Sequence, residues 1–298
     1  MSRILGAPQQ ARQGATAIGG GAILLWATLA LLTTWTGGIP PFQLTAMAFF
    51  VAFLMAAGKW LLRGESVRAH LSQPPGAWLI GALGLFVYHA LYFFALRRAP
   101  TVEANLVNYL WPLLIVVFSG LLPGERLRWH HIAGALIGFA GAALLLARDA
   151  AFDPAHATGY LAALGCAVTW AVYSVGARRY HRVPTDAVGG FCLGACVLSA
   201  LAHLAFETTA PLEPAQWPVV LAIGLGPVGA AFFLWDIGVK RGDIRALGAA
   251  AYATPLLSTL LLVVLGGGEP TWRIALAAAL IVAGGLLAGR DLVRRPAG

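Results

Sequence analysis

The stretch VEANLVNYLWPLLIVVFSGLLPGERL, Val102 to Leu127, is lipid-soluble for most of its length, yet near its start it carries Asn105, Asn108, Tyr109, Trp111 and Pro112. A segment that had only to sit in hydrocarbon needs nothing but apolar side chains. Pro112 lacks an N–H, so the carbonyl of Asn108, four positions earlier, loses its intrahelical donor. In hydrocarbon an unmatched carbonyl is costly unless a side chain, water or ligand meets it. Asn108 therefore sets a side-chain amide and a freed backbone carbonyl at one point. Ala104, Asn108, Trp111 and Ile115 share a helical face, which places Trp111 one turn below that polar spot. Two readings stay open. Either Asn108 bonds a neighbouring helix and Pro112 adds a kink, or the pair marks a place where a solute is held.

The rest of the chain shows that hydrocarbon is the right solvent. Of 298 residues, 59% are hydrophobic and only 11% charged, too few charges to cover a water-facing globule. Ten apolar runs long enough to span a bilayer are predicted at 17–36, 41–62, 77–97, 103–121, 130–147, 158–178, 187–206, 217–239, 245–265 and 272–289. No stretch remains for a soluble domain. Arg3 and Arg12 before the first run imitate a cleavable signal, but the run is too long and no small-x-small cleavage site follows it cleanly.

Orientation follows from the Lys and Arg residues. With a cytoplasmic N-terminus, the inner side receives Arg3, Arg12, Lys59, Arg63, Arg68, Arg126, Arg128, Arg178, Arg179, Arg182, Lys240, Arg241, Arg245, Arg290, Arg294 and Arg295. Only Arg97, Arg98, Arg148 and Arg273 fall outside. The positive-inside rule then puts both termini in the cytoplasm. The net charge of +8 reads as topology and attraction to anionic lipid. The basic residues are dispersed and form no stripe for nucleic acid.

The chain also repeats itself. Trp26 in LLWATLALL matches Trp170 in AVTWAVYSV, and YLWPLL (Tyr109–Leu114) matches YATPLL (Tyr252–Leu257). Glu125 matches Glu269, and LLLARD ending at Asp149 matches LLAGRD ending at Asp291. The unit holds five helices, an odd number, so the second copy enters the membrane inverted. The predicted fold is all-α and integral to the membrane: residues 1–150 and 151–298 form two inverted five-helix repeats around a central cavity. Inverted repeats with broken helices are the architecture of secondary transporters, although a channel or a membrane enzyme can also be duplicated.

Candidate lining residues are the polar and aromatic groups deep in the spans. The third span carries Tyr88, His89 and Tyr92, the first Trp26, the sixth Trp170 and Tyr173, the eighth Trp235. In the second half Pro255 frees the carbonyl of Ala251 beside Tyr252, so Pro112 and Pro255 are paired helix breaks with a gating role. An aromatic lining suits a flat apolar solute. Trp60, Trp78, Trp129, Trp217 and Trp272 sit at span ends and read as an interfacial belt. His89 is the one ionisable group near mid-membrane, either a packing residue or a carboxylate binder sensitive to pH. Asp236, four residues before Lys240, reads as an interfacial, solvated pair. Glu103 suits the start of the fourth span through the helix dipole. Cys192 and Cys196 lack further ligands at metal spacing and read as small apolar residues. No phosphate-binding loop, nucleophile elbow or zinc helix occurs, so neither ATP hydrolysis nor an enzyme is expected, and no cofactor.

Ten helices in two halves with proline-centred fourth and ninth spans resemble the drug/metabolite transporter superfamily of the EamA type over nearly the whole chain. The run EANLVNYLWP is more specific: Glu103, Asn108, Tyr109, Leu110, Trp111 and Pro112 resemble the bacterial aromatic amino-acid exporter branch. The resemblance implies a basket of helices whose cavity is lined by spans 1, 3, 4, 6, 8 and 9. It also implies inner-membrane export of aromatic and related neutral amino acids. AAYATPLLS in the second half matches only the general pattern, so export of drugs or other small metabolites stays open. A zwitterion needs partners, and the expected ones are the Asn108 amide, its freed carbonyl and His89, with Trp111 and Tyr88 packing on the ring. With no carboxylate placed at mid-membrane, the expected movement is downhill, by alternating access. The oligomeric state is open, a monomer being compatible with this reading.

Overall fold

The computed structural model describes residues 6–147, 150–266 and 271–293. Arg3, Arg148, Asp149, Glu269, Arg294 and Arg295, used above for topology and repeats, lie outside them. Among the described residues, nine helical segments are long and apolar enough to cross a membrane: Gln9–Thr34, Pro41–Leu62, Pro75–Arg98, Thr101–Ser119, Trp129–Leu146, Pro154–Arg179, Thr185–Phe206, Gln216–Arg241 and Ile244–Leu265. A shorter apolar helix, Trp272–Ala288, is the tenth. They are called the first to tenth spans below.

The first helix begins at Gly6, well before the expected residue 17. Its early turns are polar, so hydropathy alone did not mark them, and tertiary contacts hold them. Gln13 Nε2 donates to the Leu292 carbonyl at 2.8 Å, and Arg12 pairs with Asp243 at 2.7 Å.

Packing inverts the pattern of a soluble protein. Leucines face outward, with Leu161, Leu204 and Leu286 each about two-thirds or more exposed, while the interior is built from Ala and Gly. In lipid, apolar surface outside costs nothing, and helices associate by close approach of small residues. The first span packs on the eighth as the sixth packs on the third, and the second pairs with the seventh and the fifth with the tenth. Each contact maps onto another, or onto itself, when the halves are exchanged. Gly19 meets Gly238 so closely that a Cβ on Gly19 would lie 2.7 Å from the Gly238 Cα. Gly134 and Gly284 make a similarly close crossing of the fifth and tenth spans, where a Cβ on either would lie 2.5 Å from the other's carbonyl oxygen.

The helix interruptions also come in matched pairs. The third and eighth spans each contain one wider π-type turn, at Leu79–Leu83 and Gly226–Ala230. The fourth breaks between Thr101–Asn108 and Trp111–Ser119, the ninth between Ile244–Ala250 and Ala253–Gly266. Such turns are frequent at functional sites.

The belt reading holds for Trp129, Trp217 and Trp272, which are half or more exposed at span ends. It fails for Trp60, which is fully buried. The short helix Val67–Leu71 folds back and stacks His70 on the Trp60 indole at 4.6 Å and 11°.

Because the fifth and tenth backbones touch through Gly134 and Gly284, Gly284→Val should lower stability by about 1–3 kcal/mol or more. Thermal unfolding in detergent measures this, and Gly285→Val, at a position open to lipid, is the control that should melt like the parent.

Candidate functional site

Four tryptophans, one each from the first, fourth, sixth and eighth spans, meet at the centre. Trp26 lies 6.2 Å from Trp111, 5.5 Å from Trp170 and 5.0 Å from Trp235 between ring centroids. Trp111 lies 6.1 Å from Trp170 and 5.9 Å from Trp235, and Trp170 and Trp235 are 6.4 Å apart. Every indole touches the other three, so the four form a closed cage. These rings stand in the middle of the bundle, where the sequence places the lining of the cavity. Local structure fixes them. The Trp26 Nε1–H donates to the Pro227 carbonyl in the eighth-span π-turn at 3.0 Å. Trp235 Nε1–H donates to Ser174 Oγ at 3.0 Å.

Tyr173 stacks on Trp170 at 5.0 Å and 27°, and Tyr88 approaches Trp170 at 5.1 Å. One step further out, Asn108 Nδ2 donates to the Tyr88 hydroxyl at 3.3 Å, and Tyr92 donates its hydroxyl to Asn105 Oδ1 at 2.7 Å. His89 Nδ1 donates to the Leu85 carbonyl at 2.7 Å and packs against Phe49 at 5.2 Å. The face of Ala104, Asn108, Trp111 and Ile115 is buried throughout. Asn108 Oδ1 is buried with no hydrogen-bond partner. Turning the amide over would leave its nitrogen orphaned instead. Either way one polar atom of Asn108 is buried beside the aromatic cage without a partner.

The structure leaves Tyr252 elsewhere. It is fully buried against Phe139, and its hydroxyl accepts the Leu113 N–H at 3.1 Å. Tyr252 thus links the break of the ninth span to that of the fourth. Pro255 does not leave the Ala251 carbonyl free, because the turn tightens and Thr254 N–H donates to it at 3.0 Å. Residues the sequence reading passed over are Phe232, 5.7 Å from Trp170 and one turn before Trp235, and Phe49. The three-residue spacing to Trp235 was the available signal for Phe232.

Asp236 and Lys240 correct another expectation. Their side chains are 3% and 4% exposed and 2.9 Å apart, so the pair is buried rather than interfacial. The seventh-span start covers it: Thr185 Oγ1 donates to Asp236 Oδ2 at 2.7 Å, and Lys240 Nζ donates to the Val183 carbonyl at 2.9 Å.

The ends of the spans that carry Arg12, Lys59, Arg128, Arg178 and Arg245 form one basic end, clamped by ion pairs between the halves. Glu125 holds Arg178 and, at 3.1 Å, Arg245. Asp243 holds Arg12 at 2.7 Å and Arg245 at 3.4 Å. Burial works to raise the Asp243 carboxyl, but Arg12, Arg245 and the Ala246 N–H outweigh it and hold it below the ordinary carboxylate range. At the opposite end, Glu103 accepts the Ala151 N–H at 2.7 Å.

Among the described residues, one further cluster has ligating groups: His130, His131 and Asp291. His131 Nδ1 accepts the Arg128 N–H at 3.1 Å, which assigns the ring proton to Nε2, the atom facing Asp291 Oδ2 at 3.3 Å. The side chains that hydrogen-bond Asp291 are His130, through Nε2 at 3.1 Å, and Arg128 at 3.2 Å, while His131 Nε2 is left without a hydrogen-bond partner.

A membrane-embedded bundle of two alike halves, with paired helix interruptions converging on an aromatic cage, defines a transporter of the inverted-repeat class. The chain belongs to the EamA-like transporter family, whose model matches residues 16–147 and again 157–290. It is 54% identical over 280 residues to the aromatic amino acid exporter YddG of Ancylobacter novellus, covering 93% of this chain and 97% of that one. It is 28% identical over 291 residues to the protein of the same name from Salmonella typhimurium, covering 92% and 96%. A solved crystal structure, 53% identical, matches with a TM-score of 0.91 over 95% of this chain and 99% of its own.

The depressed Asp243 carboxyl stabilises the clamp at any pH above the usual carboxylate range, and that stabilisation is lost as pH falls through and below it. The melting temperature of the parent should exceed that of Asp243→Asn near neutrality. The gap should close as pH is lowered past about 4, read by differential scanning fluorimetry.

Proposed function

We propose that this protein exports aromatic and related neutral amino acids across the bacterial inner membrane, without altering them chemically. The two halves, 1–150 and 151–298, alternate the side on which the indole cage opens. The observation that carries the reading is the cage itself: four mutually touching indoles beside the orphaned Asn108 Oδ1. Rings that pack on each other in the closed protein offer an aromatic solute the same edge and face contacts. The amide oxygen offers its ammonium group an acceptor. The names of the relatives support the substrate class, and the bias of Lys and Arg supports a cytoplasmic placement of the basic end and both termini. The substrate residues in this reading are Trp26, Trp111, Trp170, Trp235, Tyr88, Tyr92, Tyr173, His89 and Asn108. Pro112 and Pro255 mark the breaks that let the fourth and ninth spans bend. Tyr252 acts as a strut between those breaks. Transport is downhill, since no lone carboxylate stands among the cage residues to carry a proton.

Purified protein in liposomes loaded with unlabelled phenylalanine should draw in labelled phenylalanine by saturable counterflow. Linear, unsaturable flux would indicate a channel instead. Asn108→Ala should lower the rate roughly tenfold with unchanged folding, the loss expected for one hydrogen bond to a charged group. Parental rates would remove Asn108 from the site. An imposed pH gradient should produce no accumulation above equilibrium; concentrative uptake would overturn the downhill mechanism.

A further inference from the structure

We propose that Asp236 and Lys240 form a second station for the substrate, on the basic-end side of the cage, where the Asp236 carboxylate receives its ammonium group and Lys240 its carboxylate. The proposal rests on the amino-acid exporter reading. It starts from a pair that packing does not explain. Both side chains are almost wholly enclosed, and every strong contact they make is to the other, to Thr185 or to the Val183 carbonyl. A buried ion pair contributes little stability that apolar residues of similar volume would not. Ionisable groups within a span are costly and mark solute routes.

Position gives the pair its role. Asp236 directly follows the cage residue Trp235. Between the pair and Tyr173 lies a cavity of about 20 Å³, which also touches Gly81 and Ala177 and has room for about one water. Tyr173 in turn stacks on Trp170. The pair and the cage are therefore separated by one ring and one small gap.

The repeat supplies an independent argument. Aligning the two π-turns, Leu79 with Gly226, pairs Tyr88 with Trp235 and His89 with Asp236. The match holds in contacts: Tyr88 meets Trp170 at 5.1 Å as Trp235 meets Trp26 at 5.0 Å, and Trp26 and Trp170 are themselves equivalent. His89 lies further along the third span from the basic end, and Asp236 lies near the basic end of the eighth. The two polar positions thus flank the cage from opposite sides. When the halves exchange conformations, a solute that leaves the His89 and Asn108 side meets the equivalent position next.

Charge balance then selects the solute. A zwitterion exchanging partners with an existing ion pair makes two ion pairs from one and leaves no charge unmatched. A solute with one charge strands Asp236 or Lys240 in a dry site. The station thereby favours free amino acids over the corresponding amines and acids.

The test is phenylalanine counterflow into liposomes, with phenethylamine and 3-phenylpropionate as competitors. The neutral double variant Asp236→Asn/Lys240→Met should lose at least about tenfold in rate. The reversed pair Asp236→Lys/Lys240→Asp keeps an ion pair and should not restore it. In the parent, unlabelled phenylalanine should compete far better than either single-charge analogue, and in the neutral variant that preference should shrink. Parental rates in either double variant, or an unchanged preference in the neutral one, would overturn the proposal. Should both fail to fold, Thr185→Val, which removes one hydroxyl from Asp236, should raise the half-saturation concentration several-fold, and an unchanged value overturns the proposal equally. Parent liposomes that move no aromatic amino acid would sink the exporter reading itself, a result distinct from all of these.

Discussion

In hydrocarbon a peptide group without a partner has no water to fall back on, so backbone can leave the helix only where other protein covers it. That constraint organises this molecule. Three of its four paired interruptions, the eighth-span π-turn and the breaks of the fourth and ninth spans, are met by a side chain or by a tightened turn. Trp26 reaches the Pro227 carbonyl, Tyr252 accepts the Leu113 N–H, and Thr254 closes on Ala251. Most of these partners belong to a different span from the break they serve. The breaks are thus the points at which helices are locked together, and a change of conformation must trade one set of partners for another.

The same economy governs charge. At the basic end, each carboxylate is shared by two guanidinium groups and bridges the halves: Glu125 of the first half holds Arg178 and Arg245 of the second, and Asp243 holds Arg12 of the first half and Arg245. Such shared pairs tie the helix ends of the two halves together there. Asp236 and Lys240 stand apart from the clamp, nearer the cage and closed on each other. Between them and Asn108 the interior is lined by rings rather than charges.

Small residues make both features possible. Gly19 against Gly238 and Gly134 against Gly284 bring the backbones into contact, so the large rings are concentrated at the centre rather than spread along every interface. In lipid, where leucine gains nothing by burial, this division between a small-residue frame and a large-residue centre is stable.

Span number, repeat and the break of the fourth span at Asn108 and Pro112 were legible in the sequence because they follow from apolar length, internal likeness and a missing N–H. Most of the cage was legible too, since Trp26, Trp170 and Trp235 are too deep for an interfacial belt. What escaped depends on neighbours. Asp236 reads as solvated until the start of the seventh span covers it, Trp60 reads as interfacial until Val67–Leu71 folds over it, and the early turns of the first helix read as polar until Leu292 and Asp243 hold them. The expected free carbonyl at Ala251 was closed by a local tightening that no sequence pattern announces. By itself the sequence determined the solvent, the number of crossings and the inverted duplication, because hydropathy and parity act residue by residue along the chain. Only the tertiary structure decided which side chains share a dry interior, because burial and partnership are properties of pairs brought together from distant spans.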